Sequence, residues 1–512
     1  MEQYDIIIIG TGAGGGTLLH KLKDSGKKIL VLERGTFLPQ EKENWDTVEV
    51  FQKERYHTRD IWKTGNDNAD LHPGTGYWVG GNTKVYGAAL FRLRENDFNN
   101  VQHSGGISPE WPLKYNDFEP YYTEAEKLYQ VRGKMGLDPT EPFRSEEYSY
   151  EHVKHEPRIQ EMHNDLTGLG YHPFYIPLGI KRNENDVLHS KCIKCDTCDG
   201  FPCLLHAKCD SDINCVRPAM VFENVTLLTE AIVNKLVTTA DGRSVSHVEV
   251  SHKNESVNFK ADIVIVACGA INSAILLLKS GNDKHSDGLA NSSGQVGRNF
   301  MKHLNTAVLN ISTKPNPTIF QKTLALNDFY WGESEYQFPM GHIQLLGKSN
   351  KDQLSPDAPF ITPGFVLDEM ASHSIDWWLT GEDLPDKNNR VQYLNGQTHL
   401  NYKENNTEGF DKLVNKWKHI LSKIDKGSSF FPHDIYISKK IPLAGVAHQV
   451  GTMRFGNDVS TSVLDINCKT HDLDNLYVVD GSFFPSIGAV NPSLTIMANS
   501  LRVGDHLLER MK

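Results

Sequence analysis

The sequence predicts an α/β protein in which one parallel-sheet domain is assembled from three separated stretches of chain, with a mixed domain inserted between them. Three observations lead there. A strand–helix–strand pattern occupies the first 35 residues, a second strand–glycine–helix pattern recurs from residue 263, and a third strand with a polar, glycine-bearing exit begins at residue 476.

Ile6, Ile7, Ile8 and Ile9 form an unbroken β-branched run, the pattern of a strand covered on both faces. Gly10, Gly12 and Gly15 follow in G-x-G-x-x-G spacing. A helical stretch through Leu18, Leu19 and Leu22 ends near Gly26, and Ile29, Leu30, Val31 and Leu32 make a second strand running into Glu33. Gly10 and Gly12 permit a tight turn and close approach of backbone to a pyrophosphate, and Gly15 permits close helix–strand packing. The helix N-terminus offers free N–H groups and a positive dipole end to phosphates. Glu33 stands 18 residues after Gly15, where a carboxylate accepts hydrogen bonds from ribose hydroxyls. A functionless glycine turn and an ordinary surface acid are the bland alternatives; the ordered succession of strand, glycines, helix, strand and acid favours a nucleotide site. This fingerprint does not separate FAD from NAD.

Downstream, Ile263, Val264, Ile265 and Val266 lead to Gly269 and a helix-like Ala274, Ile275, Leu276, Leu277, Leu278. Leu476, Tyr477, Val478 and Val479 form the third strand, Asp480 and Gly481 its end, and a helix over about 493–508 closes the chain. The expected division is a discontinuous dinucleotide domain over 1–99, 215–304 and 441–512, and a substrate domain over 100–214 and 305–440. The inserted stretches carry a candidate strand at 341–345 and two candidate surface loops, 348–359 and 382–389.

Composition narrows the function. Among 512 residues, 53 Lys+Arg face 64 Asp+Glu, a formal charge of −11, with 39% apolar and 23% charged residues. That balance is globular, and its sign argues against non-specific binding of nucleic acid or anionic lipid. The most apolar stretch, 263–278, is interrupted by Asn272 and Ser273 and falls short of the roughly 20 residues of a membrane span. Met1, Glu2, Gln3, Tyr4 and Asp5 lack the cationic start of a secretory signal. A cytoplasmic location is expected, where thiols stay reduced.

Six of the eight cysteines fall between 192 and 215. In a reducing compartment such density suggests metal before disulfide. Cys192, Cys195 and Cys198 are spaced C-x2-C-x2-C, but the gap to Cys203 is four residues and proline precedes it, unlike a ferredoxin run. Zinc would more typically show two separated C-x2-C pairs. Structural thiols or a disulfide, with no metal site, is the favoured reading; an iron–sulfur cluster over 192–203, and then zinc, stand behind it.

A family becomes recognisable in Gly10-Thr11-Gly12-Ala13-Gly14-Gly15, Val79-Gly80-Gly81-Asn82-Thr83 and Gly269-Ala270-Ile271-Asn272-Ser273. Further motifs are Val296-Gly297-Arg298-Asn299-Phe300-Met301-Lys302-His303, Ala447-His448-Gln449-Val450-Gly451-Thr452, and Val479-Asp480-Gly481-Ser482 leading to Asn491-Pro492. In this order they resemble the glucose–methanol–choline (GMC) oxidoreductases, FAD-dependent oxidases and dehydrogenases of alcohols. The resemblance implies a discontinuous Rossmann-like FAD-binding domain with an inserted α+β substrate domain built on an antiparallel sheet. It adds Ala13 and Gly14 to the glycine turn, wraps the flavin and its pyrophosphate with Gly80, Gly81, Asn82 and Thr83, and brings the Val233 backbone to the adenine. Asp480, Gly481 and Pro492 lie along the cofactor. Some relatives tether FAD through a histidine in the segment matching 80–87; Lys84, Val85 and Tyr86 stand there instead, so non-covalent FAD is expected.

The resemblance also implies the chemistry. A hydroxyl proton must leave as the carbon-bound hydrogen passes as hydride to flavin N5, and a neutral imidazole is its natural acceptor near pH 7. His448, one of 22 histidines, matches the catalytic histidine of the family, and Asn491, 43 residues later, its second catalytic position. Asparagine cannot be a base; it orients the substrate oxygen. Capping the helix before Pro492 is the bland role for Asn491, and both roles are compatible. The segment 195–203, with His206-Ala207-Lys208, is similar to a branch acting on sugars and aminoglycosides, whereas a more distant branch with a cytochrome partner carries an iron–sulfur cluster in a similar place. Asn327-Asp328-Phe329-Tyr330-Trp331 and Asp376-Trp377-Trp378-Leu379 suit a sugar-binding surface, or else the core of the substrate domain. The expected reaction is oxidation of a carbohydrate, glycoside or aminoglycoside hydroxyl, with O2 or another electron acceptor. The alternatives are a dehydrogenase passing electrons to a quinone or cytochrome, and a lyase with an idle flavin.

Overall fold

The computed structural model describes residues 2–65, 67–358, 362–424, 436–445 and 448–512. Pro359, at the end of one candidate loop, and Ala447, within the His448 motif, lie outside the described residues, as do 425–435 of the second inserted stretch.

A seven-stranded sheet forms the base of the molecule. Its path runs Val225–Leu228, Ile29–Leu32, Glu2–Ile9, Glu255–Val266, Val245–His252, Ala231–Thr238, with Leu476–Val478 also on Glu255–Val266. The long strand Glu255–Val266 serves three partners, Glu2–Ile9 along one side and two strands in succession along the other. Its first half pairs antiparallel with Val245–His252, and its last residues, Val264 to Val266, pair parallel with Leu476–Val478. The central pairings are parallel, and Ile6, Ile7 and Ile8 are wholly buried. This is why the strands read as continuous apolar runs rather than alternating ones. The helices Ala13–Leu22, Ala270–Lys279 and Ser493–Arg510 follow three of these strands and direct their N-termini to the same edge of the sheet.

A six-stranded sheet stands over that edge, ordered Tyr436–Lys440, Leu304–Ile311, Ser374–Gly381, His342–Leu345, Leu324–Leu326, Phe174–Tyr175, antiparallel throughout. The helix Thr407–Ile424 packs Phe410, Leu413, Trp417 and Leu421 against its back. Among the described residues no helix is long and apolar enough to cross a membrane.

One expected surface loop is on the surface only at its tip, where Lys387 and Asn388 are exposed. Glu382, Asp383 and Leu384 are buried, and so is Asn389. The polar run is inside because each carboxylate has partners from distant chain: Glu382 meets His103 and Ser108, and Asp383 accepts from the Lys302 N–H (3.2 Å) and the Tyr402 hydroxyl (3.0 Å). The other, from Lys348, contains a short helix, Lys351–Leu354, and Lys348 is half-buried.

Candidate active site

Between the two sheets lies a cavity of about 820 Å³, within the range of cofactor and ligand clefts. Every site residue expected from the sequence lines it except Gly15 and Gly80, which stand just behind its wall. Gly15 is small for a packing reason: a Cβ there would lie 2.0 Å from the Gly10 carbonyl oxygen. Gly10 has φ +98° and room for no side chain, since its Cβ would meet the Ala267 oxygen at 2.4 Å.

Gly12 differs from both. A Cβ added to it meets nothing within 4 Å, although its backbone is only 3.0 Å from where a Cβ of Gly81 would stand. Two glycine turns therefore abut, and their open side faces the cavity at the N-terminus of the helix Ala13–Leu22. That is a cradle for a diphosphate: close-approach backbone, free N–H groups and a positive dipole end. The residues present fit a flavin dinucleotide, with the turns at Gly12 and Gly81 for its pyrophosphate and with Val233 and His448 both on the cavity wall.

Side chains lock these turns together. The Thr11 hydroxyl donates to Glu33 Oε2 (2.5 Å) and accepts from the Gly80 N–H (3.0 Å), while Glu33 also accepts from the Thr11 N–H (3.0 Å) and the Gly35 N–H (2.9 Å). Burial pushes the Glu33 carboxyl up, opposed by those donors. Asp480 does the same across the sheet edge, accepting from the Gly269 N–H (3.0 Å), the Ser482 N–H (2.9 Å) and the hydroxyls of Ser273 and Ser482. Asp210, Ser211 and Asp212, near the end of the cysteine-rich stretch and given no role by the sequence, contribute too. Ser211 donates to the carbonyls of Thr11 (2.8 Å) and Gly12 (3.0 Å), and Lys84 is buried between Asp210 (3.0 Å) and Asp212 (2.9 Å).

His448 and Asn491 face the same cavity, His448 half-buried. His303, quoted in a motif but given no role, joins them. Its Nδ1 is 2.8 Å from His448 Nδ1, and its Nε2 is 3.0 Å from the Gly488 carbonyl oxygen. A carbonyl only accepts, so His303 Nε2 carries hydrogen. Burial, reinforced by the neighbouring His448, holds His303 well below the ordinary histidine range and therefore neutral. Its Nδ1 is then an acceptor, His448 Nδ1 must be the donor, and His448 Nε2 is left with the lone pair. Burial pushes the His448 pKa down to about 4, so this imidazole is neutral and basic-form at pH 7.

All eight cysteines are free thiols, and among the described residues no group of three or more His, Cys, Asp or Glu side chains is placed to hold a metal ion. The cysteine-rich segment forms part of the cavity wall. Asp199 accepts from the Gly347 N–H (2.6 Å) and from the buried Lys322 ammonium, and Lys208 is buried against the carbonyls of Cys198 (2.7 Å) and Phe201 (2.9 Å).

Comparison with known proteins agrees with this geometry. Two GMC oxidoreductase family profiles match, one over residues 4–305 and one over 419–500. The paromamine 6′-oxidase of Streptomyces fradiae is 27% identical across 98% of this chain and 90% of its own. The fructose dehydrogenase large subunit of Gluconobacter japonicus is 26% identical across 99% and 98%. A solved formate oxidase of Aspergillus oryzae superposes with a TM-score of 0.70 at 15% identity, covering 100% and 98% of the two chains. With two family profiles spanning both ends of the sequence, a shared fold and a cavity shaped for a dinucleotide beside a neutral imidazole, the chain belongs to the GMC oxidoreductases, FAD-dependent enzymes acting on CH–OH donors.

Proposed function

We propose that the protein oxidises a hydroxyl of a carbohydrate, glycoside or aminoglycoside, with His448 as the base, Asn491 holding the substrate oxygen and FAD bound without a covalent tether. When bound, the flavin supplies a two-electron acceptor for the carbon-bound hydrogen. The rest falls to the chain. His448 Nε2 takes the hydroxyl proton, and its Nδ1–H keeps donating to His303, so the ring holds one orientation in both protonation states. The Asn491 amide fixes the angle of the alcohol oxygen, which concentrates the encounter at one carbon. Asparagine at 491 leaves a single base beside the flavin site.

The observation that carries the carbohydrate reading is a lane on the inner face of the six-stranded sheet. Register places Trp378 opposite Ala307 on one side and Gln344 on the other, with Asn305 two residues from Ala307 and so on the same face. Asn305, Gln344, Trp378 and Lys322 all line the cavity that holds His448 and Asn491. An indole face suits the C–H face of a sugar ring, and amides and an ammonium suit its hydroxyls. The relatives named for paromamine and fructose favour the same class.

The test is an anaerobic screen of sugars, glycosides, aminoglycosides and simple diols for loss of the oxidised-flavin absorbance. Bleaching by a carbohydrate with saturation is expected; bleaching by none, or only by small alcohols, sinks the reading. Admitting air to the reduced protein then assigns the acceptor: rapid return of colour with peroxide marks an oxidase, and return only with a quinone or dye marks a dehydrogenase.

A further inference from the structure

Behind the catalytic pair, away from the cavity, lies a second group of titratable side chains to which the chemistry above gives no role. Glu382, His103, Ser108, Asp97 and Tyr330 are all buried. They converge on one short stretch of backbone, 488–489, immediately before Asn491.

Glu382 Oε1 accepts from the Gly488 N–H (3.1 Å) and the Ser108 hydroxyl (2.7 Å), and Oε2 lies 3.1 Å from His103 Nε2. The Asn406 amide group donates to His103 Nδ1 (3.0 Å) and to the Glu382 carbonyl (2.9 Å). With Nδ1 accepting, His103 carries its hydrogen on Nε2, beside the carboxylate. Beside them, the Tyr330 hydroxyl accepts from the Ala489 N–H (3.0 Å) and donates to Asp97 Oδ2 (2.9 Å). Gly488 itself has φ +62°, and a Cβ there would meet Leu93 at 2.8 Å and Asp97 at 3.2 Å, so this backbone sits hard against the cluster.

The other side of Gly488 is what matters for chemistry, because its carbonyl accepts from His303 Nε2. A chain of contacts therefore runs from Glu382 through the Gly488 backbone to His303 and on to His448. We propose that Glu382, clamped by His103 and Ser108, is a positioning residue that, by holding the Gly488 N–H, fixes the residue whose carbonyl selects the tautomer of His303 and hence of His448, while Tyr330, donating to Asp97, holds the Ala489 N–H in the same peptide unit as that carbonyl and keeps Asn491 in its place. This rests on His448 and Asn491 being the catalytic pair. A carboxylate suits the task because an ionised acceptor binds an N–H more firmly and at shorter range than a neutral one. The two clamps act on adjacent residues, so the stretch is held against both translation and peptide rotation.

Two readouts separate positioning from mere structural support. The first is the 15N spectrum of histidine-labelled protein, which reports the tautomer of each ring without any substrate. The second is stopped-flow flavin reduction, split into a limiting rate and an apparent Kd. In Glu382→Ala and in Tyr330→Phe the limiting rate is expected to fall about 10-fold to 100-fold, with Kd within about 3-fold of the parent. In Glu382→Ala the His448 signals should move from a single Nδ1–H form to a mixture, and Glu382→Gln, which keeps an acceptor for Gly488, should recover most of the rate. Should Glu382→Ala not fold, Ser108→Ala with the same two readouts replaces it. A single Nδ1–H form persisting in folded Glu382→Ala or Ser108→Ala, or wild-type limiting rates in folded Glu382→Ala, Ser108→Ala or Tyr330→Phe, overturns the proposal. Failure of every alcohol to bleach the parent protein would count against the catalytic reading alone, since the tautomer spectra would still decide the clamp.

Discussion

Trp377 and Trp378 are neighbours on the strand Ser374–Gly381 and face opposite ways. Trp377 is wholly buried and meets Trp417 edge-on at 4.6 Å, whereas Trp378 lines the cavity that holds His448. One step along a strand turns a side chain to the other face, so one indole serves the core and the other the substrate side. The other aromatic segment, 327–331, which the sequence offered as a sugar-binding surface or as core, contributes nothing to the wall of that cavity and packs as core. Phe329 and Tyr330 are buried, while Trp331 remains half-buried.

Substitution should separate the two indoles cleanly. Trp377→Ala removes a packed ring and should cost about 3–5 kcal/mol of stability. Trp378→Ala should leave the unfolding midpoint nearly unchanged and raise KM for a glycoside about 10-fold, with kcat changed far less, as loss of a contact made equally in ground and transition states requires. Denaturant titration and steady-state kinetics check both. Equal stability losses in the two variants would contradict the assigned faces.

The cradle makes a second forecast. Gly12→Ala places a methyl group where no protein atom lies within 4 Å and at φ −64°, which any residue adopts, so the protein should fold normally. That methyl points into the space required by a pyrophosphate, and FAD content should drop several-fold. Gly10→Ala should instead destabilise the fold itself, with its Cβ driven onto the Ala267 carbonyl. Flavin absorbance per mole of protein, set beside the apoprotein melting temperature, distinguishes the two. A fully yellow Gly12→Ala protein would move the diphosphate elsewhere.

Much of this site could be read before any coordinates. Strands buried on both faces announce themselves as apolar runs, and the glycine turns carry fixed spacing because backbone has to approach backbone or phosphate. What stayed hidden depends on pairing across long sequence distances. His303 was visible as a motif residue, but its role needs a 2.8 Å contact to a ring 145 positions away. Glu382 and Asp383 read as a solvated loop because nothing local reveals His103, Ser108 or Tyr402. The faces of Trp377 and Trp378 require the register of two neighbouring strands, which no single strand encodes.

Base catalysis by a desolvated imidazole has a signature in pH. With His448 pushed down to about 4 by burial, flavin reduction should stay level from about pH 6 to 8 and fall only on the acid side, with an apparent pKa well below that of free histidine. His448→Ala should lower the limiting rate on the order of 10²–10⁴-fold at neutral pH. Rapid-mixing measurements across pH check both. A limb centred near 6.5, or an alanine variant that reduces flavin at the parent rate, would remove His448 from this role.

The flavin should leave the protein intact on denaturation. Between residues 80 and 87 the candidate nucleophiles are Lys84, held by Asp210 and Asp212, and Tyr86, which donates to the Cys209 carbonyl. Cys268 lines the cavity, but burial pushes its thiol up to about 12, leaving almost no thiolate to attack a ring. Acid precipitation should carry all the yellow colour into the supernatant. Colour in the washed pellet would mean a covalent bond.

Stability should peak close to neutrality and fall on both sides, for two separable reasons. On the acid side, burial holds His20 and His448 at about 4 and His155 and His342 at about 3. Between pH 6.5 and those values the unfolded chain binds protons that the folded chain refuses, so stability drops as pH falls. On the other side, burial raises Asp97 to about 7, aided by the nearby Glu382, and Asp383 to about 8. From about pH 4 up to those values the folded chain keeps protons that the unfolded chain has lost, which lowers stability as pH rises. Below pH 6 these four histidines, joined by His303 held down in the same way, outnumber the two aspartates and the net slope is upward; above pH 7 the histidines are neutral in both states and the aspartates set the slope. Melting temperatures across pH 5–8.5 should therefore pass through a maximum near about pH 7. Asp383→Asn keeps acceptors for the Lys302 N–H and the Tyr402 hydroxyl but cannot titrate, so it should flatten the alkaline decline and steepen the rise on the acid side. A parent protein whose midpoint keeps rising from pH 7 to 8.5 would show that these aspartates are ionised in the folded state.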